Sequence, residues 1–215
     1  MVSKSTILKV QRAVRNANED LIRTQEAYDE GEDEPDLPEV FHSVAKAFPA
    51  AQEALEAIHQ HLSDGGPVAK RDADEETAQS EKEAAATADK CAGHLVDVFE
   101  TVVSADDGAR AAEYQMAAGK DRHVEVLTMD ILEAVLVLAK PPAVNDEQVK
   151  ALEEALRAIN KIQKTPAKES GAGIINYGSG TQTIHQGKGD QNVNTGTGQQ
   201  FNGTFAGPAY TVTRG

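Results

Sequence analysis

Tryptophan is absent from the 215 residues, and only four tyrosines and five phenylalanines occur. A core built by this chain must therefore draw mainly on Leu, Val, Ile and Ala. One cysteine, Cys91, excludes an internal disulfide and fits a reducing compartment. No apolar run approaches the roughly 20 residues that cross a bilayer. The opening MVSKSTILKVQRAVRN also lacks the unbroken apolar stretch of a secretory signal, so a cytosolic protein is expected. Basic charge is in deficit: the net charge is −14. Beyond residue 164 the only charges are Lys168, Glu169, Lys188, Asp190 and Arg214, a net +1, so residues 1–164 carry −15. A body that acidic repels phosphate backbones, and nucleic acid is not an expected partner.

What is present is helical periodicity. Ile7, Val10, Val14, Ala17, Leu21 and Tyr28 form one apolar stripe. Phe41, Val44, Phe48, Ala51, Leu55, Ile58 and Leu62 form a second, which stays in phase past Pro49 and so predicts a kink there. Ala84, Ala88, Cys91, Leu95, Val98 and Val102 form a third. Val124, Leu127, Ile131, Ala134 and Leu138 make a fourth, and Val149, Leu152, Leu156 and Ile159 a fifth, with a shorter helical piece around Ala109–Ala118. Gly, Pro, Asp and Asn punctuate the gaps, and Asn145-Asp146-Glu147-Gln148 reads as a capped helix start. The expectation is an all-α protein: an antiparallel bundle of about five helices over residues 1–164. A linker (165–176) and a Gly/Gln/Asn-rich segment (177–215), disordered or prone to form a β-solenoid, complete the chain.

The bundle offers little chemistry. His59 and His61 lie two apart and cannot share a helix face, and His42, His94 and His123 are isolated, which suits surfaces and helix ends. Cys91 sits on an apolar stripe as a buried thiol. The acids Asp72, Asp74, Glu75, Glu76, Glu81 and Glu83 lack the Gly turn and ligand order of a calcium loop and read as a solvated helix start. No catalytic residue, metal site or cofactor is expected. The basic opening stands out: Val2, Ile7, Leu8, Val10 and Val14 are interleaved with Lys4, Lys9, Arg12 and Arg15. That pattern suits a helix lying on an anionic membrane as well as an ordinary first bundle helix.

The C-terminal segment repeats every nine residues in the frame G-x-G-x-Q. The units are Gly178, Gly180, Gln182; Gly187, Gly189, Gln191; and Gly196, Gly198, Gln200. A phosphate-binding loop is excluded, because Lys188 is followed by Gly189 and no G-x-x-x-x-G-K-[ST] frame exists. The calcium-binding nonapeptide shares the period, but its Asp falls on Gln, whose single neutral oxygen cannot balance Ca²⁺. Stacked β-rungs fit better. They align Gln182, Gln191 and Gln200 as an amide ladder and set Ile184 over Val193, with Gly at the corners. One chain has too few rungs to offset the ordering cost of about 1–2 kcal/mol per residue, so self-assembly through copies is expected. A flexible tail is the alternative. Against it, Tyr177, Phe201, Phe205 and Tyr210 gather four of the nine aromatics in this segment.

Two segments of the bundle, FHSVAKAFPAAQEALEAIHQHL (Phe41–Leu62) and MDILEAVLVLAK (Met129–Lys140), resemble the SesA-type domain at the N-terminus of fungal NACHT and other P-loop NTPases. Through NYGSGTQ, NVNTGTG and QQFNG the C-terminal segment resembles the sigma-type amyloid motif of the same fungal systems. The resemblance implies a NACHT or NB-ARC receptor with a matching repeat, which oligomerises on sensing a ligand and templates its fold in an effector that triggers cell death, in incompatibility or defence. Since the 215 residues end after the repeats without an NTPase, the effector or adaptor side is expected, acting without enzymatic chemistry. The rival expectation is a helical adaptor with an inert tail. Related death domains insert a first helix into membranes, which makes Ile7, Leu8, Val10 and Val14 the implied membrane residues and a membrane a candidate partner. Two departures matter: this first helix is polar, and Lys188 and Asp190 bring charge into the second repeat.

Overall fold

The structure, a computed structural model, describes residues 4–64, 75–119 and 123–164. The chain divides into two units, Met1–Pro166 and Ala167–Gly215, and the described residues all belong to the first. Among them are seven α-helices: α1 (Lys4–Gly31), α2 (Glu39–Ala45), α3 (Phe48–Ser63), α4 (Glu75–Val103), α5 (Arg110–Ala118), α6 (Val124–Leu138) and α7 (Asp146–Lys164). The described residues thus form the expected all-α bundle. The fifth stripe starts where its sequence places it: Asn145 Oδ1 accepts the N–H groups of Glu147 and Gln148, each at 2.9 Å. In return Gln148 Oε1 accepts the Asn145 N–H at 3.1 Å, closing a capping box.

The second stripe differs from its expectation. Instead of one kinked helix it forms two, α2 and α3, separated by Lys46 and Ala47, with Pro49 in the first turn of α3. A proline inside a helix removes a hydrogen bond and clashes with the preceding turn, at a cost of about 3 kcal/mol. In the first turn its missing N–H has no intrahelical partner to lose. Breaking the chain just before Pro49 is therefore the cheaper solution.

The long limbs reverse direction along the chain. Gln11 donates to Ser63 Oγ (2.9 Å) and Asn18 to Glu56 Oε2 (3.3 Å), so α3 runs against α1. Helix α4 reverses again and lies beside α1 in the same sense: Asn16 bonds Asp89, Arg23 pairs with Glu100 at 2.7 Å, and Gly31 abuts Val103. Helix α6 returns along α4, with Lys140 Nζ 3.0 Å from Glu81 Oε1. Helix α7 packs on α6 and α3, burying Leu152 and Ile159 completely.

The aliphatic core expected from composition has an aromatic centre. Phe99 is fully buried and packs against Phe41 (ring centroids 4.5 Å apart), Phe48 (5.7 Å) and Tyr28 (6.5 Å), while Tyr114 meets Phe41 edge-on at 5.2 Å. Five helices each contribute one ring.

At the end of α1, beside Val103 of α4, Gly31 has no room for a side chain. A Cβ there would stand 2.7 Å from Val103 Cγ1. Gly31→Ala should lower stability by about 1 kcal/mol, an overpacking cost of about 1–3 kcal/mol offset by up to about 1 kcal/mol of helix propensity. Combining it with Val103→Ala should remove the clash. Equal losses from Gly31→Ala in both backgrounds, measured by urea unfolding, would contradict the steric account.

Candidate functional site

The first half of α1 carries the residues singled out for membrane contact, and the fold separates them. Val10 and Val14 belong to the core, Leu8 is 64% exposed, and Ile7 is half-buried. Val10 closes a small cavity together with Ile58, His61, Leu62, Leu138, Ala143 and the ion pair between Glu81 and Lys140. Two of the four apolar residues are therefore out of reach of a bilayer while the bundle stays closed. No helix among the described residues is long and apolar enough to cross a membrane.

On its outer side the same helix forms a broad basic groove with α3. Lys9, Arg12 and Arg15 line it with Ser5, Leu8, Gln11 and His59, and among the described residues no carboxylate is in these walls. Among the described residues Arg15 has one ion pair, an exposed one to Glu19 at 3.5 Å.

The remaining chemistry-bearing residues serve the packing. Cys91 is buried, and that burial, with Asp130 nearby, pushes its thiol up and away from the reactive thiolate. His42 Nδ1 shares a 3.0 Å hydrogen bond with the Tyr28 hydroxyl, His61 lies in the last turn of α3, and His123 occupies the N-cap of α6. Burial pushes the Tyr114 phenol up; it donates to Glu125 Oε2 (3.3 Å) and accepts the Val124 N–H (3.4 Å). No three His, Cys, Asp or Glu residues among those described come together as a metal site would require. Glu81, expected to be solvated, is buried and paired with Lys140.

Sequence reasoning missed one polar junction altogether. Arg110, buried at the start of α5, binds Asp36, with Glu34 at 3.3 Å and Asp107 at 3.6 Å. The Gly108 N–H donates to Asp36 Oδ2 at 2.7 Å from a left-handed turn (φ 79°). This junction ties the α1–α2 loop to the α4–α5 loop.

Four aspartates fall into two groups with opposite pH behaviour. Burial raises Asp20, Asp89 and Asp130 above the usual range; at Asp20 the pull of Arg23 is countered by Asp89, Glu19 and Asp97. At Asp36 burial is outweighed by the hydrogen bonds from Arg110 and Gly108, which hold the carboxyl below that range. A raised folded pKa means that the folded domain takes up the proton first, so stability grows as pH falls from neutral through the raised values. The contribution of Asp36 is present above the unfolded pKa of about 3.9 and disappears as pH drops through its depressed value. Tm should rise on mild acidification and fall below the carboxylate range. Asp89→Asn should raise Tm at pH 7 and flatten the climb. A Tm that declines steadily from pH 7 downward would contradict this assignment.

The repeat residues Gly178, Gly180, Gln182, Ile184, Gly187, Gly189, Gln191, Val193, Gly196, Gly198, Gln200 and Phe201 lie outside the described residues. Their placement on the chain is nonetheless informative. The family model of SesA, the N-terminal domain on NACHT-NTPases and P-loop NTPases, matches residues 21–138, from the middle of α1 to the end of α6. The chain belongs to the SesA family. Beyond this SesA domain, the model of the sigma domain on NACHT-NTPases matches residues 171–211, which contain all three G-x-G-x-Q units. SesA and sigma domains together associate the chain with NACHT-linked signalling. No curated protein and no solved structure matches it significantly.

Proposed function

We propose that this protein is a non-enzymatic effector or adaptor of fungal NOD-like receptor signalling, switched on when its C-terminal repeats are templated into a β-stack. The observation that carries the reading is the pairing on one chain of a SesA domain with a sigma domain whose glutamines and glycines recur every nine residues. The partner is a NACHT or NB-ARC NTPase with a matching repeat. Clustering of that receptor presents several copies of the repeat side by side and supplies the nucleus that one chain cannot form, since the ordering cost must be met before rungs stack. Conversion of the repeats then gathers SesA domains at high local concentration. The outcome is programmed cell death or an incompatibility response, from a protein that acts in the cytoplasm; reaching a membrane through α1 would require the bundle to open, since Val10 and Val14 are in its core.

The test is seeded conversion. Purified full-length protein, given preformed fibrils of the 171–215 segment, should become thioflavin-positive without a lag and show cross-β diffraction. Expression with a fibril-forming receptor segment should reduce viability in a fungal host. A full-length protein that stays soluble under seeding would defeat the templating step. Conversion without loss of viability would leave recruitment of a partner by the SesA domain, not killing, as the output.

A further inference from the structure

Helix α1 carries its bases mainly in its first half and its acids mainly in its second. The helix has no acid in its first turn and no base in its last. Lys9, Arg12 and Arg15 are exposed in its first half, while Glu26, Asp29 and Glu30 are exposed near its C-terminal end. Asp29 and Glu30, in the last turn, are placed unfavourably for an isolated helix. The acidic end continues through exposed Glu32 and Asp33 of the next loop to exposed Glu39 at the start of α2, and exposed Asp106 and Asp107 join it through the Arg110 junction. The result is a bundle with a basic groove at one end of α1 and a carboxylate surface at the other.

We infer that the basic groove of Lys9, Arg12, Arg15 and His59 receives the acidic end of α1 from a second copy, so that SesA domains join head to tail. From Arg12 to Asp29 the helix rises roughly 25 Å, well beyond the Debye length of about 8 Å at physiological ionic strength. The two ends of one molecule are therefore too far apart to neutralise each other. The groove suits an acidic protein surface better than a bilayer, because Val10 and Val14, which would have to enter the lipid, are in the core. A contact between unlike ends is heterologous and, when the rotation does not close a ring, open-ended. It therefore has the same symmetry as a growing stack of repeats. The inference does not depend on templating, although tethered copies would strengthen the contact.

The net charge of −14 opposes any association of copies at very low salt. At about 0.15 M salt that long-range repulsion is screened while the close contact persists; at about 1 M the contact is screened as well. Sedimentation velocity of the full-length protein should show self-association that is strongest at intermediate salt. Lys9→Glu/Arg12→Glu and Asp29→Lys/Glu30→Lys alter exposed residues only, and each should weaken association about tenfold without lowering Tm. Mixing the two variants should restore association, since each supplies the complement the other lacks. No restoration, or association unchanged in both variants, would overturn the inference. So would loss of binding to vesicles of anionic lipid in Lys9→Glu/Arg12→Glu with self-association intact, which assigns the groove to membranes. A large change in Tm without a change in association would assign it to a segment of the same chain. Seeded thioflavin fluorescence of the same variants reports the repeats separately, so failure of one reading is distinguishable from failure of the other.

Discussion

Phe99→Ala should destabilise the bundle by about 3–5 kcal/mol, a large share of the roughly 5–15 kcal/mol that holds a domain folded. The ring is fully buried, and it touches aromatic side chains from α1, α2 and α3 at once. Truncation would leave a void that three helices cannot collapse into without shifting against one another. Phe41→Ala should approach the same loss, since Phe41 bridges Phe99 to Tyr114. Phe99→Leu keeps much of the volume and should cost less than half as much. Urea unfolding followed by circular dichroism measures all three, and a loss below about 1 kcal/mol for Phe99→Ala would show that the cluster is not the centre of stability.

The second large effect concerns the repeats and should leave the bundle untouched. Ile184→Lys combined with Val193→Lys places two like charges where stacked rungs would bring them within one strand spacing, about 4.8 Å. Replacing Gln182, Gln191 and Gln200 with proline removes a ladder N–H from every rung. Either set should abolish seeded conversion of the full-length protein, extending the lag beyond the time of observation, with Tm of the helical domain unchanged. Conversion at the normal rate in both sets would mean that the nine-residue frame does not specify the stack. Intermediate behaviour of Lys188→Ala/Asp190→Ala would report what those two charges contribute to the second rung.

Helices were legible wherever local spacing determines them. Leu152 and Ile159 recur at helical spacing, and Asn145 with Gln148 marks the start of α7, so both the element and its boundary follow from residues close in sequence. What escaped was made by residues distant in sequence. The five rings of the aromatic cluster come one from each of α1 to α5, so no single stripe announces their convergence. Arg110 and Asp36 are 74 positions apart, and Glu81 and Lys140 are 59 apart. Each of these charges reads locally as an ordinary surface residue. The break before Pro49 was hidden for another reason: α2 and α3 keep their apolar residues in phase, so the pattern alone cannot separate a kink from a new start. On α1 the pattern identified the apolar and basic residues. It could not tell which apolar ones the other helices cover, and that distinction separates Val10 and Val14 from Leu8.

The family boundaries at 21 and 138 cut across the packing. A protein trimmed to them would lose Val10, Val14 and all of α7, including Leu152 and Ile159, and would leave their apolar counterparts on α3 and α6 facing water. Such a fragment would precipitate or clump for reasons unrelated to signalling, and its aggregates would be mistaken for the assembly that the repeats are proposed to build. Biochemical work on the isolated helical domain should therefore retain the chain from its first residues through Lys164.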